Sequence, residues 1–359
     1  MSIKDRFTPQ GLPLLIGSLP LVDHTEALSW VFDATPEIPL WVQLPKNRGE
    51  GMISQFLRGM PGYKEEGDRE YIHSSGEGFD EALLAFFEEY LLVQGGGPIE
   101  ETRFVLDRER AKGFYAFLAY LQGLSAEQRE NIVALKGQIT GPITFATAVK
   151  DEEGRSIFYN LQLRDAAVKH LSLQALYQAQ ELLKFGYPVI IFLDEPALAG
   201  FGSSEFISIS KEDVLSAFAE IITPLQEKGV LVGIHICANT DWSLVFDSGA
   251  DILSFDAYSF FDKLMLFKEP LLEFISSGKM VAWGVVPTEG RFVEKEEIDS
   301  LDARYNEQID KLCSSLEVKK EEVESRLFIT PSCGTGSLSP ELAKKVLSLT
   351  RQLYQRNFA

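Results

Sequence analysis

Short apolar runs alternate along the chain with longer stretches whose hydrophobic positions recur every three to four residues, the spacings of strand and helix respectively. The runs cover 14–18, 39–43, 133–138, 189–194, 231–237, 252–256, 280–285 and 327–330. Amphipathic helices are expected between and after them, over 166–185, 211–228, 295–316 and 340–356.

Strands alternating with helices predict parallel pairing through right-handed crossovers, and eight such runs is the number that closes a barrel. The expected fold class is therefore α/β, a (β/α)8 TIM barrel forming one domain over 1–359. An open doubly wound sheet is the alternative, but no Gly-x-Gly-x-x-Gly follows a strand to support its dinucleotide-binding form.

One interval is irregular, with about 90 residues between the second and third runs. It holds a glycine-rich polar part at 62–78, helical patterns at 79–93 and 108–121, and a Gly95-Gly96-Gly97-Pro98 break that stops a helix. We read it as a helical insertion after the second strand, approximately 46–130. It is expected over the barrel mouth as a lid or wall, or else as an excursion without a role.

The chain of 359 residues carries 34 Lys and Arg against 53 Asp and Glu, a formal charge of −19. Without a basic tract, attraction to nucleic acid or an anionic membrane surface is disfavoured. No apolar run approaches the roughly 20 residues that span a bilayer, and the amino terminus has no signal-peptide pattern. Three cysteines are too few for a disulfide framework, so a cytoplasmic location is expected.

The polar residues that end the runs are Ser18, Gln43, Gln138, Asp194 with Glu195, His235 with Cys237, Asp256 and Cys333. In a barrel they would converge on the carboxyl ends of the strands, where active sites lie. His235 and Cys237 are two apart and share one face of a strand. With Cys333 from a distant run they make a nitrogen and sulfur donor set suited to zinc, although cysteine is also often buried without a metal. Asp256 would be a weaker fourth ligand, or the cap of the next helix. Asp194 and Glu195 would hold a substrate ammonium, bind metal or act as acid and base, unless one caps a helix. Gly17, between Ile16 and Ser18, would let the backbone approach a ligand closely. Cys313 falls in a helical pattern and reads as core. His24, His73 and His170 have no partner spacing. Tyr258, Trp41 and Trp283 suit the wall of an apolar cofactor pocket and ordinary packing equally.

As a set, Ile16-Gly17-Ser18, Gln138-Ile-Thr-Gly-Pro142, Phe192-Leu-Asp-Glu-Pro-Ala197, His235-x-Cys237, the run ending in Asp256 and Pro331-Ser-Cys-Gly334 occur in the order seen in cobalamin-independent methionine synthases. The chain resembles the carboxyl-terminal catalytic barrel of that family from Leu14 to the last helix. The wider superfamily includes uroporphyrinogen decarboxylase and the corrinoid:thiol methyltransferases. The resemblance implies Zn2+ held by His235, Cys237 and Cys333, which would also be the catalytic residues. Asp256 stands where the family has a glutamate ligand one methylene longer. By the same resemblance Asp194 would hold the amino group of homocysteine, and Ile16, Gly17 and Ser18 would line its amino-acid end; Glu77 is the candidate for a further glutamate there.

The implied reaction moves a methyl group from a methylcorrinoid or methyltetrahydrofolate to a small-molecule thiol, homocysteine giving methionine. The chain has no room for the family's second, amino-terminal barrel, which helps hold the folate donor, so a methylcorrinoid presented by a corrinoid protein is expected. The arginine-rich signature of the decarboxylase is missing. Alternatives are another thiol such as coenzyme M, demethylation in reverse, or a non-catalytic barrel that binds a corrinoid or tetrapyrrole.

Overall fold

The structure, a computed structural model, describes residues 7–359. Its strands are β1 (Gly11–Pro13), β2 (Tyr63–Glu66), β3 (Arg69–Ile72), β4 (Leu135–Thr140), β5 (Val189–Asp194), β6 (Leu231–Ile236), β7 (Ile252–Phe255), β8 (Met280–Val286) and β9 (Leu327–Pro331). Seven of them form one curled, barrel-like parallel sheet in the order β1-β9-β8-β7-β6-β5-β4. Helices cross between successive strands, as parallel pairing requires.

The closed ring of eight strands expected from the periodicity does not form. The run at 39–43 is no strand; it makes isolated parallel bridges, Leu40 with Lys136 and Gln43 with Ser18. Its backbone bonds are correspondingly few: Lys136 N donates to Pro39 O at 3.0 Å, Gln43 N to Gly17 O at 3.1 Å and Leu19 N to Gln43 O at 3.0 Å. The first strand is likewise Gly11–Pro13, ahead of the expected 14–18. Pro13 and Pro39 have no N–H, so each removes a donor where the ladder would have to close.

The other six strands of the parallel sheet are buried along their whole length, which is why they read as continuous apolar runs. Alternate residues face the inside of the curl. Leu14, Ala134, Ile190, Phe192, Leu231, Ile252, Met280, Ala282 and Phe328 form an apolar floor there. The Phe192 ring fills the space beside Gly233, where a Cβ would come within 2.3 Å of it. Polar residues sit above this floor, at the carboxyl ends.

The outer helices Leu161–Leu183, Lys211–Glu227, Ile298–Leu316 and Pro340–Asn357 fall where the pattern places them. The long interval before β4 contains helices Phe79–Gln94 and Lys112–Gly123 and a feature the pattern does not show, the antiparallel hairpin β2–β3. The hairpin is anchored by buried Arg110, which bonds Glu65 at 2.8 Å, the Tyr63 hydroxyl at 2.9 Å and Glu70. Helix Lys112–Gly123 packs in the outer layer, with Phe117 against Phe32 and Phe114 against Tyr177. Two bonds tie the start of this interval to the strand ends: Thr140 Oγ1 donates to Met52 O at 2.6 Å, and Gln43 Nε2 to Gln55 Oε1 at 2.9 Å. Among the described residues no helix is long and apolar enough to cross a membrane.

Candidate metal centre

β6 carries His235 and the chain leaves it at Cys237, while the turn after β9 brings Cys333 to the same place. One donor atom from each of the three lies within 4.8 Å of the other two. The structure thus brings together, from two distant segments, the three residues that the sequence groups.

His235 is 3% exposed, and its Nδ1 is 2.9 Å from the Ser254 hydroxyl, its register neighbour on β7. In the tautomer whose Nδ1 donates to that hydroxyl, Nε2 presents a bare lone pair. That nitrogen is buried with no partner, a costly arrangement unless a ligand completes it. An imidazole nitrogen, two sulfurs and an outer hydrogen bond that orients the ring fit a zinc ion.

The two thiols face each other. A hydrogen bond from Cys333 pulls the Cys237 thiol down to about 4 against the opposing effect of burial, with His235 adding to the pull. The same bond, together with burial, pushes Cys333 up.

The Cys333 turn is fixed by three bonds, to Val286 and Ser18. Ser332 N donates to Val286 O at 2.8 Å, Thr335 N to Ser18 O at 2.9 Å, and Gly336 N to Ser18 Oγ at 3.2 Å. A Cβ on Gly334 would sit 2.1 Å from Ser18 Oγ, so any side chain there would displace the Ser18 hydroxyl from its bond to Gly336 N. The Ile16-Gly17-Ser18 segment accordingly lies against the metal candidate, with the Ser18 side chain engaged in bracing the turn. Gly17 packs on Gln138, whose amide donates to Trp41 O at 2.9 Å.

The adjacent carboxylates have different settings. Glu195 is fully buried and accepts from Ile143 N at 2.9 Å, Thr144 N at 2.8 Å and the Thr144 hydroxyl at 2.6 Å, at the start of helix Pro142–Ala148. Burial pushes it up to about 7, opposed by these donors. Asp194 pairs in register with His235, and its Oδ1 is buried without a partner. Burial raises its carboxyl to about 6, and His235 and Lys136 counter that rise. Of the two, Asp194 is the one with an oxygen free for a ligand.

Asp256 is the N-cap of helix Ala257–Leu264, accepting from Ser259 N at 2.8 Å. It lies outside the cluster in which the His235, Cys237 and Cys333 donors meet, yet close enough for Cys237 and His235 to affect its carboxyl, which burial raises to about 6. Glu77 is exposed ahead of helix Phe79–Gln94. The indole nitrogens of Trp41 and Trp283 are satisfied within the core by Gln178 and Gln308, and Tyr258 bonds Glu296 at 2.6 Å. Cys313 packs half-buried against the core. Two residues of the site escape the sequence reading, Ser254 and Lys136. Ser254 is in phase with the floor residues of β7, and Lys136 is a lone charge inside an apolar run.

No protein-family model matches the chain, and no curated protein matches it in sequence. Among solved structures it is similar to a methyltransferase from Methanosarcina mazei, with a TM-score of 0.55 and 14% identity over 99% of each chain. That likeness is one of fold and does not single out the methionine synthases.

Proposed function

We propose that the protein is a zinc-dependent methyltransferase that moves a methyl group from a methylcorrinoid or methyltetrahydrofolate to a thiol, homocysteine giving methionine. The observation that carries this reading is the buried, unpartnered Nε2 of His235 facing two cysteines.

His235 Nε2 and the sulfurs of Cys237 and Cys333 would hold the metal, with Asp256 as a weak fourth position that yields to substrate. Zinc bound there supplies a Lewis acid that keeps a thiol of ordinary pKa, about 8.5, deprotonated at neutral pH. Ser254 holds the imidazole in the tautomer that presents Nε2. Asp194 Oδ1, unpartnered beside His235, receives the substrate ammonium. The Ile16–Ser18 backbone lines the amino-acid end, and the 46–130 segment walls the donor side and helps hold the methyl group in line with the sulfur. The donor's chemistry favours a corrinoid protein as partner, with the reaction in the cytoplasm.

The test is a methyl-transfer assay that crosses methylcobalamin and methyltetrahydrofolate against homocysteine and coenzyme M, with zinc-loaded and zinc-stripped protein. Zinc-dependent methionine formation supports the reading, and transfer that is indifferent to zinc contradicts it. Engagement of the Ser18 hydroxyl by Gly336 favours, as a second reading, a thiol without an amino-acid end. Transfer to coenzyme M in preference to homocysteine would establish that version.

A further inference from the structure

Lys136 is fully buried as the second residue of β4, where lysine is rare without a paired charge or a full set of acceptors. Its ammonium does not point to solvent. It donates to Ile16 O at 2.6 Å and to Gln138 Oε1 at 3.4 Å, and it lies 4.5 Å from the centre of the Phe192 ring.

The position of that first bond matters. Between β4 and the 14–18 run the sheet has no ladder, only the isolated bridges of 39–43. Lys136 spans this gap through the interior and grips Ile16 directly. Two residues further on, Ser18 O accepts from Thr335 N at 2.9 Å and Thr335 Oγ1 at 3.1 Å, and Ser18 Oγ accepts from Gly336 N at 3.2 Å. Cys333 sits at the head of that turn. A continuous line of short polar contacts therefore runs from the ammonium to the cysteine loop.

We propose that Lys136 is a positioning residue for Cys333, acting through Ile16–Ser18 to hold the cysteine turn where the open side of the sheet offers no ladder to do so. The proposal deepens the metal-centre reading and rests on it for one arm of its test only. A buried ammonium suits the task because it satisfies two acceptors from one strand at a place where backbone donors are missing.

The first arm uses metal-free protein and iodoacetamide, with modification of each cysteine followed by mass spectrometry. In Lys136→Met, Cys333 should react about threefold faster or more than in wild type as its turn loosens, while Cys313, on a distant outer helix, keeps its rate. Ser18→Ala should accelerate Cys333 in the same way, and the double variant should be no faster than the faster single, as for two residues on one path. Lys136→Gln, which keeps a donor, should fall between wild type and Lys136→Met, and it serves if the methionine variant does not fold. An unchanged Cys333 rate, or equal acceleration of Cys333 and Cys313, overturns the proposal.

The second arm replaces zinc by cobalt. Lys136→Met should bind Co(II) about tenfold more weakly, as outer-shell changes do, with a weaker thiolate-to-cobalt charge-transfer band. A lower melting temperature with an unaltered cobalt spectrum assigns Lys136 to general stability and overturns the proposal. Failure of the wild type to take up cobalt removes the metal reading, and the labelling arm still decides the role of Lys136.

Discussion

His235 Nδ1 stands 2.9 Å from the hydroxyl of Ser254, and this contact decides which ring nitrogen faces the cysteines. Two adjacent parallel strands in register place the pair side by side, so the orientation of the imidazole ring is set by the sheet itself. Ser254→Ala should leave the fold intact and lower zinc affinity by about 10- to 100-fold, as loss of such outer partners does. Competition with a chromogenic chelator reads the effect, and an unchanged affinity would assign the tautomer to another cause.

Asp194 offers a different handle because its Oδ1 is buried without a partner in the fold. Asp194→Asn should raise KM for homocysteine by about 10- to 100-fold, the worth of roughly 1.5–3 kcal/mol for a charge-assisted bond. Transfer to a thiol without an amino group should change little. Equal losses with both acceptors would remove Asp194 from amine recognition.

The role of Asp256 can be separated into cap and ligand. Asp256→Ala should cost about 1 kcal/mol in unfolding free energy through the lost helix cap. It should keep zinc at wild-type stoichiometry, with affinity reduced less than by loss of either cysteine. Complete loss of zinc would make Asp256 an essential ligand.

Much of this site was legible from the sequence because its residues end strands, and strand ends converge wherever parallel strands curl into a common sheet. His235, Cys237 and Cys333 needed only that geometry. The unclosed edge was not legible, because periodicity counts apolar runs and does not register the donors lost at Pro13 and Pro39. The β2–β3 hairpin was hidden for a related reason. Its strands are charged and buried only at Tyr71 and Ile72, so no apolar alternation marks them, and the Gly67-Asp68 turn stands without the flanking pattern that usually reveals a hairpin. Lys136 left only the signal of a lone charge inside an apolar run, and its burial follows from tertiary contacts with Ile16 and Phe192.

Glu195 gives a pH prediction with a definite sign. Burial lifts its carboxyl from about 4.5 to about 7, so the folded state holds this proton more tightly than the unfolded chain. The stability it contributes is fully present below about pH 4.5 and is lost as pH rises through about 7. In urea denaturation from pH 4.5 to 8, Glu195→Gln should show a less negative slope of stability against pH than wild type. Parallel profiles would mean that the Thr144 and Ile143 donors keep Glu195 ionised throughout.

The central claim is that His235, Cys237 and Cys333 form a zinc site on which thiol methylation depends. Zinc content of purified wild type, Cys237→Ser and Cys333→Ser, measured by atomic emission after dialysis against a weak chelator, tests it most directly. The account predicts about one zinc per chain in the wild type and none retained by either variant. Stoichiometric zinc in both variants, or none in the wild type after reconstitution, would contradict it.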